Sequence, residues 1–170
     1  MTASETKLYS LSLRESRTYL LSAAFIVGNI VLPQLCHLIP QGGFIFLPIY
    51  FFTLIAAYKY GLRVGLLTAI LSPLVNSALF GMPAAAMLPV IMVKGVLLAG
   101  IAALVAHRAG KASLLALLAV VLGYQVAGSL IEWAVTGSAT AALQDVMLGW
   151  PGMLLQVALG YVVLNFLLKK

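Results

Sequence analysis

Long apolar runs alternate with short polar or Pro/Gly-rich joints along the chain. A bilayer core about 30 Å thick takes about 20 helical residues to cross. The pattern predicts six spans, at 18–38, 44–58, 64–80, 87–106, 112–135 and 146–168. Pro33 and Pro48 fall inside the first two spans. Each removes a backbone donor, which predicts a kink or a local opening. Ahead of the first span, Ser12-Leu13-Arg14-Glu15 has the form of a capping box, with Ser12 as N-cap and Glu15 reaching back. Residues 1–17 therefore read as a short amphipathic lead that starts a helix in water, and 18–170 as one six-helix domain. The expected class is an all-α membrane protein.

Composition sharpens this. Of 170 residues, 63% are hydrophobic and 8% charged, against about 25% charged in a soluble domain. So few charges cannot cover a water-facing surface, and lipid must be the main solvent. Cys36 is the single cysteine, which excludes an intrachain disulfide and a cysteine metal cluster. No secretory signal peptide is evident.

The basic residues give an orientation. Lys7, Arg14 and Arg17 precede span one, Lys59 and Arg63 follow span two, Arg108 and Lys111 follow span four, and Lys169 and Lys170 follow span six. The intervening joints, 38–43, 81–86 and 136–145, carry no Lys or Arg. Nine of the ten basic residues thus fall on one side, which the positive-inside rule makes the cytoplasm. Both termini are expected there. The basic residues read as topology signals and anionic-lipid contacts. They do not read as a nucleic-acid surface, since no reader-module pattern accompanies them.

The tenth is Lys94, in span four, seven residues from its outer edge by these bounds, or roughly 10 Å deep at ~1.5 Å per residue. A buried cation requires an answering group. Span five carries Gln125, Ser129 and Glu132 at i, i+4, i+7, on one helical face. Asn76 lies near the outer end of span three, Gln156 near the middle of span six, and Trp133 and Trp150 at outer ends. The outer half of the later spans thus gathers polar groups suited to a solute entering from outside. Three readings of Lys94 stay open: a side chain snorkelling to the headgroups, a structural pair with Glu132, or a solute ligand. The depth difference from Glu132 favours the solute. Gln125 and Ser129 serve equally as glue between helices, and the two tryptophans as interface anchors. His37 and His107 sit at span ends with no metal-ligand spacing.

Enzymatic signatures such as HExxH, GxSxG and the Walker A loop are absent, so no enzyme and no cofactor is expected. A resemblance does emerge from Gly42 to Pro83. Leu47-Pro48 in a short second span, Gly61 and Gly65 at the inner turn, Ser72-Pro73 in span three and Gly81-Met82-Pro83 in the outer loop occur in this order. Together with the six-span plan and the size, they resemble the S components of energy-coupling factor (ECF) transporters. The resemblance implies a vitamin or related micronutrient bound in an outward pocket, with uptake driven by a T component and two cytoplasmic ATPase subunits in a bacterial or archaeal cytoplasmic membrane. It also implies that Ala24 and Gly28, a small-xxx-small pair in span one, dock on the T component. Two other classes compete. An MreD-like scaffold of the cell-wall elongation machinery would need no pocket, and a stand-alone ion-coupled carrier would work without partners.

Overall fold

The computed structural model describes residues 8–167, which leaves Lys7, Lys169 and Lys170 outside. These residues form seven α-helices: α1 (Ser16–Cys36), α2 (Gly42–Phe46), α3 (Phe51–Tyr60), α4 (Leu62–Phe80), α5 (Leu88–Ala109), α6 (Leu114–Thr136) and α7 (Ala139–Val162). There is no strand among them. Five stretches are long and apolar enough to cross a membrane: Ser16–Cys36, Leu62–Phe80, Ala85–Ala109, Leu114–Thr136 and Ala139–Phe166. The chain is a membrane protein, as its composition requires.

The second apolar run is not one helix. α2 ends at Leu47, whose φ of 47° and ψ of 46° lie in the left-handed region; a 3-10 turn, Pro48–Tyr50, then leads into α3. Proline disfavours the helical conformation in the residue before it and offers no N–H, so the break falls where Pro48 predicts an opening. α3 is only ten residues long, and every residue from Thr53 to Tyr60 is buried. It is the central element of the bundle, packed against α1, α4, α5 and α7.

Two glycines of α7 seat the broken segment. A Cβ on Gly149 would lie 2.7 Å from Leu47 Cδ1, and one on Gly152 would overlap the backbone carbonyl of Phe46. Their spacing of three puts both on one face of α7, and α2 lies directly against that face.

Asn29 of α1 holds the other side of the core. Its Nδ2 donates to Thr53 Oγ1 at 3.0 Å and Ser72 Oγ at 3.2 Å, and its Oδ1 accepts from Phe52 N at 3.2 Å. The last bond satisfies a first-turn N–H of α3 that the helix itself cannot. Replacing Asn29 with leucine leaves Phe52 N without its side-chain acceptor and Thr53 Oγ1 without this donor in an apolar interior, while Ser72 Oγ keeps its bond to Thr68 O. The expected loss is about 1–3 kcal/mol, to be read as a lowered unfolding midpoint in detergent.

The lead differs from expectation. Ser12 N does donate to Glu15 Oε1, at 2.7 Å, but Ser12–Glu15 is a single turn and the helix begins at Ser16. Before it the chain runs along the end of α3. Tyr9 N donates to Lys59 O at 2.8 Å, Leu11 N to Tyr60 O at 3.2 Å, and Arg63 Nη1 to Leu11 O at 3.2 Å. Carbonyls at a helix C-terminus lack partners within the helix, and the lead supplies them while Leu11 buries against Ala56, Tyr60 and Val64. The same end gathers the joint after α5, since Tyr58 Oη donates to Lys111 O at 2.8 Å and Asn165 Nδ2 to Ala112 O at 3.1 Å. Arg14, Arg17, Lys59, Arg63, Arg108 and Lys111 therefore share one end of the bundle.

A second difference lies between α6 and α7. The expected 136–145 joint is reduced to a turn at Gly137, with φ 67°, and Ser138, whose side chain accepts from Ala141 N at 3.2 Å. α7 thus starts at Ala139, and Asp145 sits in a helix rather than a loop.

Candidate functional site

At the end opposite the basic residues lies a cavity of about 240 Å³. The broken segment forms one wall with Phe44, Leu47, Pro48 and Tyr50, the loop Met82–Ala84 forms another, and α5, α6 and α7 contribute Lys94, Glu132 and Asp145.

Lys94 is 2% exposed. Its Nζ lies 2.6 Å from Glu132 Oε2 and 2.7 Å from Asp145 Oδ2. The carboxylate side chains are themselves only 12% and 16% exposed. Sequence depth favours a solute over Glu132 as the partner of Lys94; in the structure Lys94 pairs with Glu132 and also with Asp145. The depth gap is closed by Gly128. A Cβ there would sit 2.7 Å from Lys94 Cγ, so the lysine stem lies across the bare backbone of α6 and reaches Glu132 one turn further on. Asp145 arrives from the early start of α7. One cation then faces two carboxylates, a surplus of one negative charge.

Four further polar side chains line the space: Asn76 and Tyr50, which are buried, and the less buried His37 and Gln144. Asn76 is 1% exposed and lines the cavity. Its Oδ1 accepts from Gln34 Nε2 at 3.0 Å, whereas its Nδ2 has no hydrogen-bond partner among the described residues. Tyr50 is 4% exposed, lines the cavity, and its hydroxyl likewise has no partner among them.

The other predicted site residues lie elsewhere. Tyr124 Oη donates to Gln156 Oε1 at 3.1 Å and accepts from Gln125 Nε2 at 3.2 Å. Gln125 Oε1, Gln156 Nε2 and Ser129 Oγ are buried without hydrogen-bond partners among the described residues. None of these three residues lines the cavity. They form a polar layer joined to it through the Tyr50–Tyr124 ring contact, with centroids 5.5 Å apart. Trp133 and Trp150 are 54% and 58% exposed and are absent from the cavity wall, in keeping with interface anchors. On α1, Ala24 is exposed. Gly28 is half-buried, and a Cβ there would meet the Phe52 ring at 2.8 Å. The close approach that Gly28 permits is thus used within this chain.

Asp145, Tyr50 and Gly128 were not singled out from sequence. The uncompensated charge of Lys94 was the available signal for Asp145, and Ala139 to Gln144 is a run of mostly good helix formers that could have carried α7 back to it. Comparison with family models, with curated proteins and with solved structures found no match for this chain.

Proposed function

We propose that this chain is a substrate-binding S component of an ECF-type transporter. In this reading it holds a vitamin or related micronutrient in the cavity, facing outward from a bacterial or archaeal cytoplasmic membrane. A T component and two cytoplasmic ATPase subunits then drive uptake. The observation that carries the reading is the cavity itself. It is small, largely apolar, charged along one side, and lies at the end of the bundle away from the basic residues. The positive-inside rule directs the basic end to the cytoplasm and so opens the cavity outward. α2, the Pro48 turn and α3 count as the sixth crossing, since this segment starts beyond α1's far end and finishes beside the lead. Both termini are then cytoplasmic.

The test is purification of the tagged chain from its own cells. The T component and both ATPases are expected to come with it. Ala24→Leu, on the exposed face of α1, is expected to remove most of the T component while leaving solute binding intact, because a bulky side chain there blocks close helix approach. Ala24 replaces Gly28 as the informative position, since a change at Gly28 would disturb Phe52 first. Recovery of cell-wall elongation proteins instead would support the scaffold, which has no use for the cavity. One observation favours the carrier class, a broken span lining a cavity. That class predicts transport by the chain alone in liposomes.

A further inference from the structure

The surplus charge in the cavity has a consequence for what can bind there. Lys94 is already paired on two sides, with its Nζ within 2.7 Å of both Glu132 and Asp145, so an anionic ligand would have to compete with both carboxylates for it. His37 also lines the cavity, but it is exposed at the rim and takes part in no ion pair among the described residues. An anion entering would meet two carboxylates against one ammonium. A cation would bring the local count to neutrality, and burial favours neutral sets of charges. Tyr50 and Asn76, both more than nine-tenths buried, add an unpartnered hydroxyl and an unpartnered amide donor to the wall. The remaining wall is mainly apolar. A cavity of about 150 Å³ holds benzene, so about 240 Å³ accommodates a ring with a short arm.

We propose that the cavity selects a small organic cation, an aromatic or aliphatic body carrying a protonated amine, with Glu132 and Asp145 holding the ammonium and Tyr50 and Asn76 addressing a polar group on the body. Lys94 is then a positioning residue. It holds the two carboxylates together in the empty site and shares them when the ligand arrives. This rests on the reading of the cavity as a small-molecule site and adds the charge class of the molecule.

Three probes of similar shape separate charge from shape: benzylamine, benzyl alcohol and benzoate. Each is titrated against the purified full chain, with thermal stabilisation as the readout. Ala141→Trp, which puts an indole on a cavity-lining position, identifies shifts that do not depend on the cavity. Saturable stabilisation of the wild type by benzylamine is expected, absent from Ala141→Trp and stronger than that by the other two. Glu132→Gln removes the surplus charge while keeping the Lys94–Asp145 pair. It should raise the half-saturating benzylamine concentration by about tenfold or more, the usual scale for a lost charge-assisted bond. Asp145→Asn, expected to act alike, serves if Glu132→Gln does not fold. An unchanged benzylamine titration in the folded variant would overturn the inference. Cavity-dependent binding that favours benzoate or benzyl alcohol would also overturn it, while leaving the small-molecule site standing. No cavity-dependent shift with any probe would overturn both.

Discussion

Replacing Lys94 with methionine is expected to destabilise the empty protein by about 3–5 kcal/mol, the usual cost of removing one partner from a buried ion pair. The side chain is 3% exposed and is the only cation within reach of Glu132 and Asp145 among the described residues. Without it two carboxylates face one another in an apolar wall, and each loses the group that offset its desolvation. Changing all three together, Lys94→Met with Glu132→Gln and Asp145→Asn, should recover most of the loss, because neutral groups of similar volume need no counter-charge. Unfolding midpoints of the single and triple variants in detergent check this. A Lys94→Met protein as stable as wild type would show that the ion cluster is not formed in the empty state.

A second large effect is expected at Gly152. A single methyl there collides with the backbone of Phe46, and Ile45 O would lie 2.8 Å away. Backbone cannot rotate aside as a side chain does, so Gly152→Ala must push α2 off α7 or shift the whole broken segment. Overpacking of this kind costs about 1–3 kcal/mol. Here it also widens the cavity wall, so ligand affinity should fall together with stability. Gly100 is the control, with nothing within 4 Å of a Cβ built on it. Gly100→Ala should be neutral or slightly stabilising, as alanine is the better helix former.

Much of this architecture was legible in the sequence because lipid imposes simple rules. Run length and the side bias of Lys and Arg located the five long helices to within a few residues, apart from the start of α7, and placed the described basic residues outside Lys94 at one end. Pro48 predicted the break in the second run. What stayed hidden depended on two kinds of event that a linear pattern does not carry. One is local competition for backbone groups. The capping box at Ser12 made its Glu15 bond, yet pairing of Tyr9 and Leu11 with the end of α3 kept the lead extended. The other is close approach between elements distant in the chain. Depth along separate helices kept Lys94 apart from Glu132, but a side chain with a four-carbon stem crossing a glycine covers the difference. The polar stripe also divides, since Glu132 reaches the cavity while Gln125 and Ser129 turn into the layer behind it.

The most direct test of the central claim is mass spectrometry of small molecules released on denaturing the purified protein, wild type beside Ala141→Trp. The account predicts a small amine-bearing molecule in near-equimolar amount from the wild type and its absence from the variant. Identical small-molecule content in the two preparations, or none in either after purification under ligand-replete conditions, would contradict it.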